Sequence, residues 1–217
     1  MSRAVALARM EFPHARILIL AKAPRPGHVK TRLVPPLTPG QAAELQRQLL
    51  VETVAWLAGA GLAPVELWCS PAIDASPFPA LGRAHGLRLR LQRGADLGDR
   101  MHNAAEEALR RAGAVVLVGA DCPGLDAEYV RAALQALADT DAVLGPAEDG
   151  GYVLLGLKRT APAELFSRVP WGTGAVADTT RGRLRDLGWG WRELPVLWDL
   201  DRPTDLARYA ALLNAEG

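Results

Sequence analysis

The segment 17–33, ILILAKAPRPGHVKTRL, constrains the chain more than any other, because an apolar run stops at a loop carrying Lys22, Arg25, Lys30 and Arg32 around Gly27. A strand buried on both faces reads as such a run. A loop that then offers cations and free backbone N–H groups is how an α/β protein addresses a polyphosphate. The P-loop pattern does not account for it: Val29 rather than Gly precedes Lys30, and Pro35, Pro36 and Pro39 follow where a helix would have to begin. The dinucleotide fingerprint fits no better, since its nearest approach, Gly172-Thr173-Gly174, follows Pro170 and Trp171 instead of a strand. A solvated basic turn stays open for the segment taken alone.

Further apolar runs at 65–69, 115–119 and 142–145 read as core strands, with 87–91, 151–157 and 193–197 as additional strand segments. Helical patterns lie between them. Thr38 and Pro39 form an N-cap and first-turn pair, and Ala42, Leu45, Leu49, Val54 and Leu57 recur at helical spacing until Gly59 and Gly61. Segments 99–112 and 126–138 repeat that design, and Thr204 after Pro203 is expected to cap a last helix with Asp205 in its first turn. Alternating strands and helices predict a three-layer α/β/α domain with a mostly parallel sheet. Ligands of such sheets sit beyond the carboxyl ends of the strands, so the 22–32, Asp121 and 148–151 loops should converge.

At 217 residues the chain is expected to form one domain, 1–217, with 1–14 as an N-terminal extension. A formal charge of +1 supplies no net field for a nucleic-acid backbone, so nucleic acid is not expected as a partner. The run 4–8 is too short for a signal sequence and no stretch is long enough for a membrane span, so no membrane association is expected. Cys69 and Cys122 lack metal or redox spacing and fit a reducing, cytoplasmic setting. His14, His28, His85 and His102 are scattered, which does not support zinc.

Asp121 stands at the exit of an apolar strand in AVVLVGADCPGL, a placement suited to a hard cation such as Mg²⁺ or Mn²⁺. A turn cap is the plainer alternative. In DLDRPTDL, Asp199 and Asp201 share a face if extended, and two carboxylates so placed repel unless a cation lies near. In AEDGGY, Glu148 and Asp149 precede Gly150, Gly151 and Tyr152, where a close approach to a ligand and a simple hairpin turn are both open. PWGTG adds Trp171 and Thr173 as an acceptor wall, with a core role for Trp171 as the alternative. GADLGDRMHNA brings Gly98, Arg100 and Asn103 to a helix start, where they could read a base, ribose or phosphate.

Taken in order, AKAPRPGHVKTRL, GADLGDRM, VGADCPGL, AEDGGYVLLG, VPWGTG and DLDRPTDL resemble a bacterial family of glycosyltransferase-A-like proteins in the nucleotide-diphospho-sugar transferase superfamily, the type associated with radical-SAM and selenium domains. The resemblance runs from about 17 to 206 and extends to phospholactate and molybdenum-cofactor guanylyltransferases, with sugar-acid cytidylyltransferases more distant. It implies that Ala21, Lys22, Gly27, Lys30 and Arg32 hold base and phosphates and that Asp121 binds Mg²⁺. It also implies Asp201 as a second metal ligand, although Arg202 departs from the cytidylyltransferase pattern. Gly98 and Asn103 match a guanylyltransferase segment with altered spacing.

The expected activity is Mg²⁺-dependent transfer of a nucleotidyl group from an NTP to a small phosphorylated or carboxylated acceptor, with Lys30, Arg32 and Asp121 as the catalytic groups. A glycosyltransferase using a nucleotide sugar and a nucleotide-binding module without turnover stay open. So does the oligomeric state, a homodimer included.

Overall fold

A computed structural model describes residues 10–215. Its centre is a seven-stranded sheet of β1 (Ala15–Lys22), β2 (Val65–Ser70), β3 (Arg88–Leu91), β4 (Ala114–Val118), β5 (Ala142–Pro146), β6 (Tyr152–Leu157) and β7 (Trp191–Glu193). Spatial order is β3-β2-β1-β4-β6-β5-β7. Every neighbouring pair is parallel except those of β6, which runs antiparallel to both β4 and β5. Among the described residues the α-helices are α1 (Pro39–Gly59), α2 (Phe78–His85), α3 (Leu97–Leu109), α4 (Ala127–Ala136), α5 (Val176–Asp186) and α6 (Pro203–Ala215).

The alternation of side chains along β1 builds both faces of the sheet. Ile17 and Ile19 pack with Leu50 and Val54 of α1, Phe78 of α2 and Val130 of α4. Leu18 faces the other way, onto Met101, Ala104 and Ala108 of α3, with Leu184 of α5 in the same layer. Burying each such aliphatic side chain contributes about 1.5–3 kcal/mol, and with helices on both faces the strand has no polar side to show. A third, smaller cluster of Leu33, Leu49, Trp198, Leu200 and Tyr209 ties the segment after β7 to the loop after β1.

The α1 start follows the sequence closely. Thr38 caps it, accepting from the Gln41 N–H, and Gln41 reaches back to the Thr38 N–H. Asp126 caps α4 in the same way, accepting from the Tyr129 N–H. Helix α3 begins two residues before the expected 99, because Asp96 rather than Asp99 caps it. Helix α6 corrects another expectation: it starts at Pro203, so Thr204 lies within its first turn. The Asp205 carboxylate instead accepts from the backbone N–H groups of Asp201 and Arg202. Helices α2 and α5 were not anticipated.

The expected strand at 193–197 is also corrected. β7 ends at Glu193: the Leu194 N–H still donates to the Leu144 carbonyl and an isolated bridge joins Ala147 to Leu197, but Pro195 between them lacks a backbone donor and breaks the ladder. At the opposite edge β3 does not alternate cleanly: Leu91 is 41% exposed, while Arg90 turns partly inward toward Glu66 and Glu107. Glu11 and Phe12, within the expected extension, donate to the carbonyls of Gly61 and Leu62. The readings at 4–8 and the rest of 1–9 lie outside the described residues. Among those described, no helix is long and apolar enough to cross a membrane.

Glu66 on β2 is a buried carboxylate, met by Arg111 at 2.7 and 3.4 Å and more distantly by Arg90 at 3.9 Å. Removing one partner of a buried pair strands the other charge. Arg111→Ala is therefore expected to lower stability by about 3 kcal/mol, read as a drop in the chemical denaturation midpoint. Arg110→Ala, whose pairing with Glu106 is on the surface, should leave the midpoint unchanged.

Candidate functional site

The parallel pairing of β1 with β4 places the loops that follow them side by side at one edge of the sheet. Because β6 is reversed, the β5–β6 turn opens onto that same edge. Between them lies a cleft of about 460 Å³. Lys22, Lys30, Asp121, Asp149, Asp199 and Asp201 line its charged side, and Leu97, Met101, Leu117, Tyr152, Trp171 and Val176 line its apolar side.

The loop after β1 is preset rather than slack. Gly27 has φ of 77°, and Lys30 sits in the left-handed region at φ 48° and ψ 35°, an uncommon place for a residue with a side chain. That backbone turns the Lys30 side chain inward, where it is 3% exposed and its Nζ lies 3.4 Å from Oδ2 of Asp121. One turn of 3₁₀ helix, Thr31–Leu33, follows instead of an α-helix. Arg32 then donates to Oδ2 of Asp201 at 2.5 Å and to the carbonyl of Gly172 at 3.2 Å. The Asp201 carboxylate holds the Arg32 guanidinium above its ordinary range. Lys22 donates to the His28 carbonyl at 2.7 Å, which folds the loop back on itself.

The carboxylates are fixed from behind. The Leu200 N–H donates to the Asp121 carbonyl at 2.9 Å, joining the segment 199–201 to the loop after β4. Burial, and then the nearby charges of Asp149 and Asp121, push the Asp199 carboxyl up to about 6, with Lys30 opposing them. No three His, Cys, Asp or Glu side chains among the described residues are grouped closely enough to hold a metal ion. Asp121 and Asp201 are instead held by Lys30 and Arg32.

On the far side, Gly150 has φ of 85°, and a Cβ there would lie 2.2 Å from the Gly174 carbonyl oxygen, so the 148–151 turn can press on the 172–174 turn only with glycine. The Ala177 N–H donates to the Gly150 carbonyl across this contact. Asp149 accepts from the Gly151 N–H at 2.8 Å. Tyr152 and Trp171 meet edge to face at 6.2 Å, and Thr173 spends its hydroxyl on the Pro170 carbonyl.

Of the residues expected at a site, Ala21, Lys22, Lys30, Asp121, Asp149, Gly151, Tyr152, Trp171, Thr173, Asp199 and Asp201 line the cleft. Arg32 reaches it through Asp201 and Gly172. Glu148 instead lines an adjoining hollow and pairs with Arg208 at 2.8 Å. Gly98 lies beneath the indole of Trp171, where a Cβ would come 2.8 Å from Nε1. Asn103 points away, donating to the Arg93 carbonyl, and Gly27 forms the outer turn of its loop. Gln46 of α1 lines the cleft and was missed; it donates to the Ala120 carbonyl. Its signal was a polar residue on the helix stripe of Ala42, Leu49 and Leu50. Burial pushes the Cys69 and Cys122 thiols up to about 12, so neither supplies a thiolate nucleophile at neutral pH.

This architecture is that of the nucleotide-diphospho-sugar transferases. The chain belongs to a family described as an uncharacterised protein conserved in bacteria (DUF2064), whose model matches residues 53–173. No curated protein matches it. Among solved structures it is 32% identical to a candidate nucleotide-diphospho-sugar transferase from Desulfovibrio desulfuricans G20, with a TM-score of 0.78 over 87% of this chain and 83% of that one. It shares its fold with CMP:2-keto-3-deoxy-manno-octonic acid synthetase complexed with CTP, at a TM-score of 0.57, 16% identity and coverage of 94% and 99%. Glucosyl-3-phosphoglycerate synthase from Mycobacterium tuberculosis, in complex with Mn²⁺, UDP and glucosyl-3-phosphoglycerate, has a TM-score of 0.55, 12% identity and coverage of 94% and 76%.

The raised Asp199 carboxyl has a consequence for stability. A folded carboxyl that holds its proton more tightly than the unfolded one makes ionisation a cost. That cost is absent below the ordinary carboxyl range and complete above the folded value of about 6. Asp199→Asn should therefore be more stable than the wild type at neutral pH, by about 1 kcal/mol after solvent screening is allowed for. The difference should vanish as the pH falls toward the ordinary carboxyl value, which thermal denaturation across that range would measure.

Proposed function

We propose that the cleft binds a nucleoside triphosphate with a divalent cation, Mg²⁺ or Mn²⁺, and transfers its nucleotidyl group to a small-molecule acceptor. The observation that carries this reading is the pairing of Lys30 with Asp121 and of Arg32 with Asp201 across one cleft. Two cations suited to phosphate oxygens stand opposite two carboxylates suited to a hard metal ion. The CTP and the UDP with Mn²⁺ carried by the two distant structures of this fold agree with it.

The donor set fits a divalent ion. Mg²⁺ usually takes only one or two carboxylates and completes its shell with phosphate oxygens and water, so a preformed group of three is not needed. Asp121 and Asp201 would hold it, with Asp199 beside them. Bound there, the ion would supply positive charge against the phosphate oxygens. Lys30 and Arg32 grip the phosphates and neutralise the pyrophosphate as the acceptor oxygen bonds to the α-phosphorus and the bond to pyrophosphate breaks. The turns 148–152 and 171–173 orient the acceptor, whose approach in line contributes much of the rate. A nucleotide-sugar donor is the second reading, favoured by the candidate nucleotide-diphospho-sugar transferase at 32% identity.

Thermal shift with NTPs and nucleotide sugars, with and without Mg²⁺, separates the two donors, since a ligand of the folded state raises its apparent stability. Arg32→Ala and Lys30→Ala should each weaken binding of the selected nucleotide by about 1.5–3 kcal/mol by calorimetry. A folded double variant with unchanged affinity for every nucleotide would remove the site.

Asp121→Asn and Asp201→Asn should each abolish the Mg²⁺-dependent gain in nucleotide affinity. The double change should cost little more than either alone, as groups acting as one unit behave.

A further inference from the structure

The acceptor side of the cleft offers an apolar slot with no spare cation. Tyr152 and Trp171 stand edge to face, and Leu117, Met101 and Val176 complete the wall. The cations nearest to this slot are already engaged. Lys30 lies on Asp121 and Arg32 on Asp201 and the Gly172 carbonyl. Lys22 is turned to the His28 carbonyl. If the proposed triphosphate binds, it claims these three and leaves none for a second anion.

Asp149 also lines the cleft and, although Arg32 feels its charge, forms no salt bridge among the described residues. Its Oδ1 accepts from the Gly151 N–H, which fixes the carboxylate on the turn that bears Tyr152. That turn cannot swing away, because Gly150 is pressed against the Gly174 carbonyl and accepts from the Ala177 N–H. Its neighbour Glu148 is neutralised by Arg208 at 2.8 Å. Asp149 and Asp199 are then the cleft carboxylates without an ion pair among the described residues, and of the two Asp149 is the one on the turn that bears Tyr152.

We infer that the slot takes an uncharged acceptor with an apolar body and that Asp149 is the residue that rejects anionic ones. This rests on the transferase reading for the word acceptor, but the discrimination itself is a property of the slot. The inference departs from the phosphorylated or carboxylated acceptor expected from the sequence. Specificity of this kind is built by repulsion as much as by contact. A fixed like charge at the mouth of a partly solvated slot costs an anion about tenfold in affinity.

The test uses benzyl alcohol and benzoate, a pair matched in shape and differing in charge. Binding is read from the indole N–H resonance of Trp171, assigned by its loss in Trp171→Phe. Benzyl alcohol should shift that signal with an affinity about tenfold above that of benzoate at low salt, the gap narrowing as salt screens it. Asp149→Asn, which keeps the oxygen that accepts from Gly151, should raise benzoate affinity toward that of benzyl alcohol and leave benzyl alcohol unchanged.

Benzoate binding as well as benzyl alcohol in the wild type would overturn the inference, as would an unchanged gap in Asp149→Asn. A signal that neither probe moves up to its solubility limit would also overturn it. Nucleotide affinity measured on the same samples keeps the outcomes apart. Loss of nucleotide binding with the alcohol preference intact defeats the transferase reading alone, and the reverse pattern defeats only the acceptor class.

Discussion

The hydrogen bonding of β1 between β2 and β4 is the constraint on which the cleft depends. In a parallel arrangement the strands finish at the same edge, so residues far apart in sequence are delivered to one place without any loop having to be long. Lys30 and Asp121 meet across 91 positions of chain, and Arg32 and Asp201 across 169. Neither contact is strong by itself: Asp121 is partly exposed, and Arg32 is more than half so. Their geometry comes from the sheet and from the left-handed turn at Lys30, and the ion pairs report that geometry rather than create it.

What the sequence disclosed follows from which forces act locally. The apolar run of β1 and the capping box at Thr38 are short-range signals, and both are read directly in the structure. The short connection between β5 and β6 left a hairpin open, and the strands are antiparallel, as a link too brief for a crossover requires. Helix α5 was hidden because VADTTRGRLRD has few apolar residues, with only Val176, Ala177, Thr180 and Leu184 turned inward. Helix α2 was masked by prolines at its start, although one at the first turn is tolerated.

The candidate site was legible as a set of residues but not as a network. Asp121, Asp199 and Asp201 could be picked out by residue type and position on strand exits. That two of them meet the cations of the first loop is a tertiary fact, and no spacing encodes it. Asn103 illustrates the opposite error. Its place near a helix start suggested a ligand, yet its amide donates to the Arg93 carbonyl in the adjoining loop, the usual fate of a polar side chain beside an irregular backbone.

The segment from Trp198 to Tyr209 closes the cleft late in the chain. The seven strands of the described sheet lie before Asp199, whereas two of the four aspartates lining the cleft follow the last of them, anchored through Leu200 to the Asp121 loop and through Asp205 to the first turn of α6. During synthesis the sheet can therefore be assembled before the pocket has its full complement of charge. A C-terminally clipped molecule could retain the scaffold and still lack the finished site, so a measure of folded protein would be a poor proxy for a measure of competent protein.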